Sequence, residues 1–219
     1  VSSVARTVEA ARHFPRLPHH VGIIPDGNRR WADARGLPRG DGYSPGVDAA
    51  FRVLRGLQRL GIGEVSVYGF TQENVHRPKE QRVAFQAACV KAVERLSLLD
   101  AELRVVGDHR SPMFPPALRP YVERTRFGDG GIKVNLLVNY SWRWDLEEMR
   151  STGRLGSHDV TPIDLVIRWG GRCRLSGFLP VQSVYADICV LPRLWPDGSE
   201  DDLYEALDWY QAQDPTRGG

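Results

Sequence analysis

At 219 residues, 42% hydrophobic and 26% charged, the chain has the size and make-up of one globular domain with a single sizeable core. A formal net charge of only +2 argues against a nucleic-acid partner, and no apolar run approaches the ~20 residues of a membrane span. Lysine occurs only at 79, 91 and 133, and the other 26 basic residues are arginine. Arginine suits bidentate phosphate binding, but a GC-rich genome also writes arginine codons, so only arginines inside motifs carry weight here. Cys89, Cys173 and Cys189 form no C-x-x-C pair, which predicts a reduced, cytoplasmic protein without a disulfide framework. Residues 1–18 hold no long apolar run, so no secretory signal is expected; they read as a loose or helical lead-in to one domain over 19–219.

The first element is a buried strand, Val21 to Ile24, stopped by Pro25. Asp26, Gly27, Asn28, Arg29, Arg30 and Trp31 follow. Gly27 lets backbone approach a ligand, Asn28 is expected to cap a short helix, and an acid beside two arginines suits Mg²⁺ with a phosphate. Residues 36–43 form a glycine-rich loop. The spacing of Gly40, Gly42 and Gly46 fails the dinucleotide fingerprint, and no strand leads into it. Val47, Ala50, Val53, Leu54 and Leu57 then recur with helical period up to Gly61.

Val65 to Phe70 reads as a strand and Lys79 to Leu96 as a helix, with Val83, Ala87, Val90 and Val93 on one face. Leu103 to Val106 is a strand, Pro116 to Arg126 a helix, Ile132 to Val138 a strand, and a helix starts near Trp142. Asp164 to Arg168 and Ile188 to Leu191 are strands. Ser199 to Gln211 is the last helix, with Ser199 as its cap. This alternation predicts a single α/β domain: a mainly parallel central sheet of about six strands with helices on both faces. Ligands of such sheets bind beyond the carboxyl ends of the strands. Asp26, Phe70, Asn139 and Arg168 each stand where a strand ends, so one rim gathers Asp26, Arg29, Arg30, Arg39, Asn74, Arg77, Arg168, Arg174 and Ser176. Arginines crowded on one edge repel each other unless anions bind between them, although any one of them alone could be a surface ion pair.

Five blocks occur in order. They are His20 to Trp31, Tyr68 to Pro78 (Y-G-F-T-Q-E-N-V-H-R-P), Asn139 to Asp145 (N-Y-S-W-R-W-D), Asp164 to Phe178, and Leu194 to Asp197 (L-W-P-D). Together they resemble the motifs of the cis-prenyltransferases, the undecaprenyl diphosphate synthase family, over residues 19 to 210. The resemblance implies a Mg²⁺-dependent, homodimeric enzyme acting on isoprenyl diphosphates. It assigns Asp26 as catalytic metal ligand and Asn74 as the catalytic residue near the proton lost from the second substrate. The backbone of Gly27, Asn28, Arg29 and Arg30, with Arg39, would bind the ionising diphosphate. Arg168, Arg174 and Ser176 would bind the other diphosphate, with Trp31, Tyr43, Thr71, Gln72, Glu73, Val75, Arg77 and Leu175 also in the substrate site. A late family glutamate that binds metal aligns with Asp187. Val53, Phe85 and Cys89 are candidates for a hydrocarbon tunnel, with plain core packing as the alternative for each.

The departures are Tyr43 for a family histidine, Val75 for tryptophan, Trp169 and Arg172 for threonine and glutamate, and a segment from Asp145 to Asp164 about twenty residues short. The arginine-rich family ending is reduced to Arg217-Gly218-Gly219. With P-D-G-N-R-R-W and D-G-Y, they resemble the irregular branch that joins two allylic units head-to-middle into lavandulyl-type skeletons. That implies a short-chain synthase condensing dimethylallyl diphosphate with dimethylallyl or geranyl diphosphate. The alternatives are regular head-to-tail condensation with isopentenyl diphosphate, a non-catalytic accessory subunit, and an unrelated phosphate-binding α/β module.

Overall fold

Seven short runs, most of them apolar, pair into one sheet in the computed structural model, which describes residues 13–214. The strands are β1 (His20–Ile24), β2 (Glu64–Tyr68), β3 (Ala101–Val106), β4 (Thr125–Phe127), β5 (Ile132–Leu137), β6 (Leu165–Arg168) and β7 (Asp187–Val190). Their spatial order is β4-β3-β5-β2-β1-β6-β7, and every pairing is parallel except β3 with β4. The helices are α1 (Asn28–Asp33), α2 (Tyr43–Arg59), α3 (Lys79–Leu96), α4 (Trp142–Thr152) and α5 (Glu200–Gln211).

Alternation along the strands sorts the core into two. Val21, Ile23, Val65, Leu103 and Val134 face α2, α3 and α5 and build the larger cluster with Phe51, Leu57, Val93 and Leu207. Ile24, Tyr68, Leu137 and Val166 face the other way and pack with Tyr140, Phe178, Leu179 and Trp144 of α4. Helices therefore cover both faces, as alternation predicts. Residues 13–18 are irregular and lie on α5, where the Arg16 guanidinium sits 4.0 Å over the Tyr210 ring. The rest of the expected lead-in, and Arg217 to Gly219, lie outside the described residues.

Three local expectations are corrected. The segment read as a helix from Pro116 to Arg126 is a single 3-10 stretch, Pro116–Tyr121, followed by the unforeseen strand β4. Pro120 inside it removes a donor and blocks a longer helix. On α3, Val83 and Ala87 are exposed, and the buried face is Ala88, Cys89, Val93 and Leu96. Residues 39–42 of the glycine loop are themselves a 3-10 turn running straight into α2. A Cβ at Gly42 would stand 2.1 Å from the Asn28 carbonyl oxygen, so α1 and α2 meet only because residue 42 is glycine. Ser199 caps α5 as expected, accepting from the Asp202 N–H while Asp202 accepts from the Ser199 N–H.

Cys89 and Cys189 are buried, Cys173 is exposed, and all three are free thiols. No helix among the described residues is long and apolar enough to cross a membrane.

Candidate active site

The chain leaves β1 for β2 on one side and later returns to β6 on the other, so the sheet has its topological switch at β1. A crevice opens there beyond the carboxyl ends of the strands. It is a cleft of about 460 Å³ whose walls come from three of the sequence blocks, with Tyr43 at the start of α2 and Phe85 of α3.

The first wall is the turn after β1. Pro25 ends the strand, the Asp26 N–H donates to the Ile24 carbonyl, and Gly27 takes φ 117°. Leu194 closes over Gly27, where a Cβ would stand 2.9 Å from its Cδ2, and the Trp195 N–H donates to the Asp26 carbonyl. The L-W-P-D block thus braces the acid-bearing turn from behind. Asn28 does not cap α1: Gly27 is the cap residue, and the Asn28 amide donates to the Pro25 carbonyl at 3.0 Å.

Asp26 is the centre of the charge pattern. Arg168 Nη2 donates to its Oδ2 at 2.8 Å, and Arg30 Nη2 lies 3.3 Å from its Oδ1. Burial pushes the Asp26 carboxyl upward, but the hydrogen bond and charge of Arg168, then those of Arg30, outweigh it and hold the group below its ordinary range. Arg168 is 3% exposed and also donates to Ser176 Oγ at 2.9 Å and to the Arg174 carbonyl. Its Nε is buried without a partner. One guanidinium therefore ties the acid of the first block to the turn of the fourth.

The opposite wall is the second block. The Thr71 N–H donates to Asn74 Oδ1 at 3.2 Å, and the Asn74 N–H to the Thr71 carbonyl. With its oxygen engaged, Asn74 offers the cleft an N–H donor. Glu73 also lines the cleft, its carboxylate 3.5 Å from Ser141 Oγ and 4.0 Å from Arg143 Nη1. Arg77 Nη1 donates to the Tyr43 hydroxyl at 2.8 Å. Burial pushes the Arg77 pKa down; Tyr43 opposes this and Arg29 adds to it. Among the described residues, Arg29, Arg77, Arg172 and Arg174 all line the cleft without a carboxylate ion-pair partner.

The cleft thus unites Asp26, Gly27, Asn28, Arg29, Arg30, Tyr43, Thr71, Glu73, Asn74, Arg77, Arg168, Arg174 and Ser176. Six expected residues lie elsewhere. Trp31 Nε1 donates to Asp197 Oδ1 on the far side of α1, and Arg39 is exposed and bonded to Asp33. Gln72 and Leu175 do not line the cleft, and Val75 packs partly buried against the larger core. Asp187 opens β7 level with Leu165, at the end of the sheet away from the rim, so within this chain it does not join Asp26. Trp169 is also turned from the cleft: it is fully buried, stacked edge-on to Trp195, and donates to Asp202 Oδ2. Among the described residues no cluster of three or more His, Cys, Asp or Glu could hold a metal, so a cation at Asp26 would share its shell with substrate oxygens.

Tyr68 was missed as a site residue. It ends β2 on the face that carries the smaller core, and burial holds its phenol well above the ordinary value, keeping it a donor to the Ser176 carbonyl at 3.0 Å. Its last place in the strand was the available signal.

Below the cleft an apolar channel runs between α2 and α3. A first cavity of about 70 Å³ shares Pro25, Asn28, Tyr43, Tyr68, Gly69 and Phe85 with the cleft. A second, of about 60 Å³, shares Ala50, Val67, Ala92 and Leu136 with the first. Phe85 and Cys89 line the first cavity, whereas Val53 lines neither and is core.

The family model of undecaprenyl diphosphate synthases, a prenyltransferase family, matches residues 24–218. An isoprenyl transferase of Prochlorococcus marinus is 36% identical over 93% of this chain and 86% of its own length. A ditrans,polycis-undecaprenyl-diphosphate synthase of Vibrio parahaemolyticus, (2E,6E)-farnesyl-diphosphate specific, is 31% identical over 89% and 88%. Among solved structures, lavandulyl diphosphate synthase of Lavandula x intermedia, crystallised with dimethylallyl diphosphate, superposes with a TM-score of 0.78 at 25% identity, covering 92% of this chain and 98% of that one. An arginine-rich cleft around Asp26, on a sheet with these relatives, makes this chain a member of the cis-prenyltransferase family and an isoprenyl diphosphate synthase.

Proposed function

We propose that residues 19–219 act as one catalytic domain that condenses two short allylic diphosphates, dimethylallyl with dimethylallyl or geranyl diphosphate, and releases diphosphate. The observation that carries this reading is the set of four cleft arginines without a carboxylate ion-pair partner around Asp26. Two diphosphates supply the missing anions. Arg29 and Arg30 hold the diphosphate that leaves, and Arg168, Arg174 and Ser176 hold the other. Arg39 joins the first only by leaving Asp33, an exposed pair that a diphosphate displaces. Mg²⁺, held by Asp26 and phosphate oxygens, would neutralise the charge that develops as the allylic C–O bond breaks. Asn74 donates to a phosphate oxygen or orients the acceptor; with Oδ1 engaged by Thr71, it is not the proton acceptor.

The head-to-middle outcome rests on Tyr43 and Arg172, the departures that line the cleft. Val75 and Trp169 no longer support it, because both pack into cores. The lavandulyl diphosphate synthase fold match agrees with this reading, and the undecaprenyl relatives favour the second one, regular cis condensation with isopentenyl diphosphate. A narrow channel favours a product of about ten to fifteen carbons in either case. The test is mass spectrometry and NMR of the product made from dimethylallyl and geranyl diphosphate without isopentenyl diphosphate. A short branched diphosphate is expected. Linear product that requires isopentenyl diphosphate would leave the second reading, and chains of thirty carbons or more would contradict the short channel.

The enzyme is also proposed to be a cytoplasmic homodimer. Free thiols suit a reducing compartment. Trp142, Leu146 and Met149 make an exposed apolar stripe on α4, and Val181, Val184, Tyr185 and Ile188 expose a second stretch on the same side of the sheet. Sedimentation should give a dimer, and Leu146→Arg a monomer. A monomeric wild type would reject this interface.

A further inference from the structure

The cleft and the channel meet at a pair of rings. Tyr43 is the first residue of α2 and Phe85 lies on α3, so the pair bridges the two helices that wall the channel. The rings are stacked, 4.5 Å apart and 3° from parallel. Both line the cleft above and the first apolar cavity below. Beneath them Ala50, Ala88 and Ala92 line the cavities with small side chains, whereas the mouth is closed by two aromatic rings. The narrow channel is therefore restricted first at its mouth.

The stack is also locked. Tyr43 is 3% exposed, and a buried hydroxyl needs a partner. Arg77 supplies it, donating to the hydroxyl at 2.8 Å while its guanidinium lies 5.4 Å from the Phe85 ring centroid. Phenylalanine at 43 would keep the ring and lose the lock. Histidine, the family residue, would remove much of the ring face. Arg77 also faces the cleft, so a diphosphate there competes with Tyr43 for its N–H groups.

We propose that Tyr43 is the specificity-determining gate of this enzyme: its ring, stacked on Phe85 and tied by Arg77, closes the hydrocarbon channel and sets the prenyl tail length accepted. A tail longer than one or two isoprene units must turn the ring out and break the Arg77 hydrogen bond. Diphosphate binding in the cleft loosens the same bond, so head-group and tail recognition are coupled through one side chain. The inference rests on the reading of the cleft as a diphosphate site.

The test is calorimetric, with unreactive allylic thiolodiphosphates of five, ten and fifteen carbons and Mg²⁺, so it reads binding and not turnover. The wild type should bind the fifteen-carbon analogue at least about tenfold more weakly than the five-carbon one. Tyr43→Ala should abolish that ratio, and Tyr43→Phe should reduce it. Phe85→Ala, the other half of the stack, should act like Tyr43→Ala and stands in for it if that variant fails to fold. A wild type that binds all three lengths alike, or folded variants that keep the full ratio, would overturn the gate. Absence of diphosphate release from any allylic substrate, with the binding ladder intact, would instead overturn the proposed reaction and leave the gate standing.

Discussion

Asp26→Ala should lower turnover by about 10³-fold or more while the protein stays folded. Asp26 and Glu73 are the two acids that line the cleft, and Asp26 alone sits at the end of β1 among the arginines. Its carboxylate is held ionised by Arg168 and Arg30, so it is ready to share a cation with a leaving diphosphate. The fold should persist because the backbone bonds of the turn, to Ile24 and from Trp195, do not involve the side chain. A lower melting temperature is expected, since Arg168 is left buried with one partner fewer. Single-turnover kinetics beside circular dichroism separates chemistry from stability. Near-normal turnover in a folded variant would remove Asp26 from the mechanism.

Arg168→Lys should lower kcat/KM by about 10²-fold or more, with KM for the second substrate rising. A lysine cannot bond Asp26, Ser176 and the Arg174 carbonyl together, because one ammonium replaces a planar fork. Arg168→Gln adds an electrostatic readout. Burial by itself raises the Asp26 pKa, and Arg168 is the strongest opposing group, so its removal moves the carboxyl upward. The sign for stability follows. In the wild type the depressed carboxyl stabilises the fold above its ordinary value of 3.8, and that contribution is lost as pH falls through the lower folded value. In Arg168→Gln the contribution shrinks or reverses. Carbon-13 NMR titration of the Asp26 carboxyl reads the shift directly. An unchanged Asp26 titration and normal KM would show that Arg168 belongs to neither role.

Strand ends were legible because short apolar runs stopped by proline, glycine or charge have few other uses. That was enough to bring Asp26, Asn74, Arg77 and Arg168 to one rim. Side-chain direction was not legible. Arg39 carries the same charge as Arg29, but only tertiary structure sets Asp33 beside it. Asp187 aligned with a metal ligand, yet its place at the start of β7 follows from sheet register, which sequence order does not give. Val75 stands where the family has tryptophan, in a block that lines the cleft; the turn after Thr71 aims it at the core instead. The face of α3 was misread because that helix serves both a core and a channel, so its apolar residues follow no single stripe. Strand β4 escaped notice because three residues carry too little alternation to register, although Pro120 already argued against the helix read there.

Six residues line both the cleft and the channel: Pro25, Asn28, Tyr43, Tyr68, Gly69 and Phe85. The remaining cleft residues are mostly charged or polar, and the remaining channel residues are almost all apolar. Inheritance can therefore act on the two almost independently. A larger residue in place of a channel alanine would fill the space below the rings while leaving the rim untouched. Mutations among the six do not have that freedom, because each alters reaction and product at once. New products in this lineage should arise mostly from variation along α2 and α3 outside Tyr43 and Phe85, while the rim changes only when the chemistry itself does.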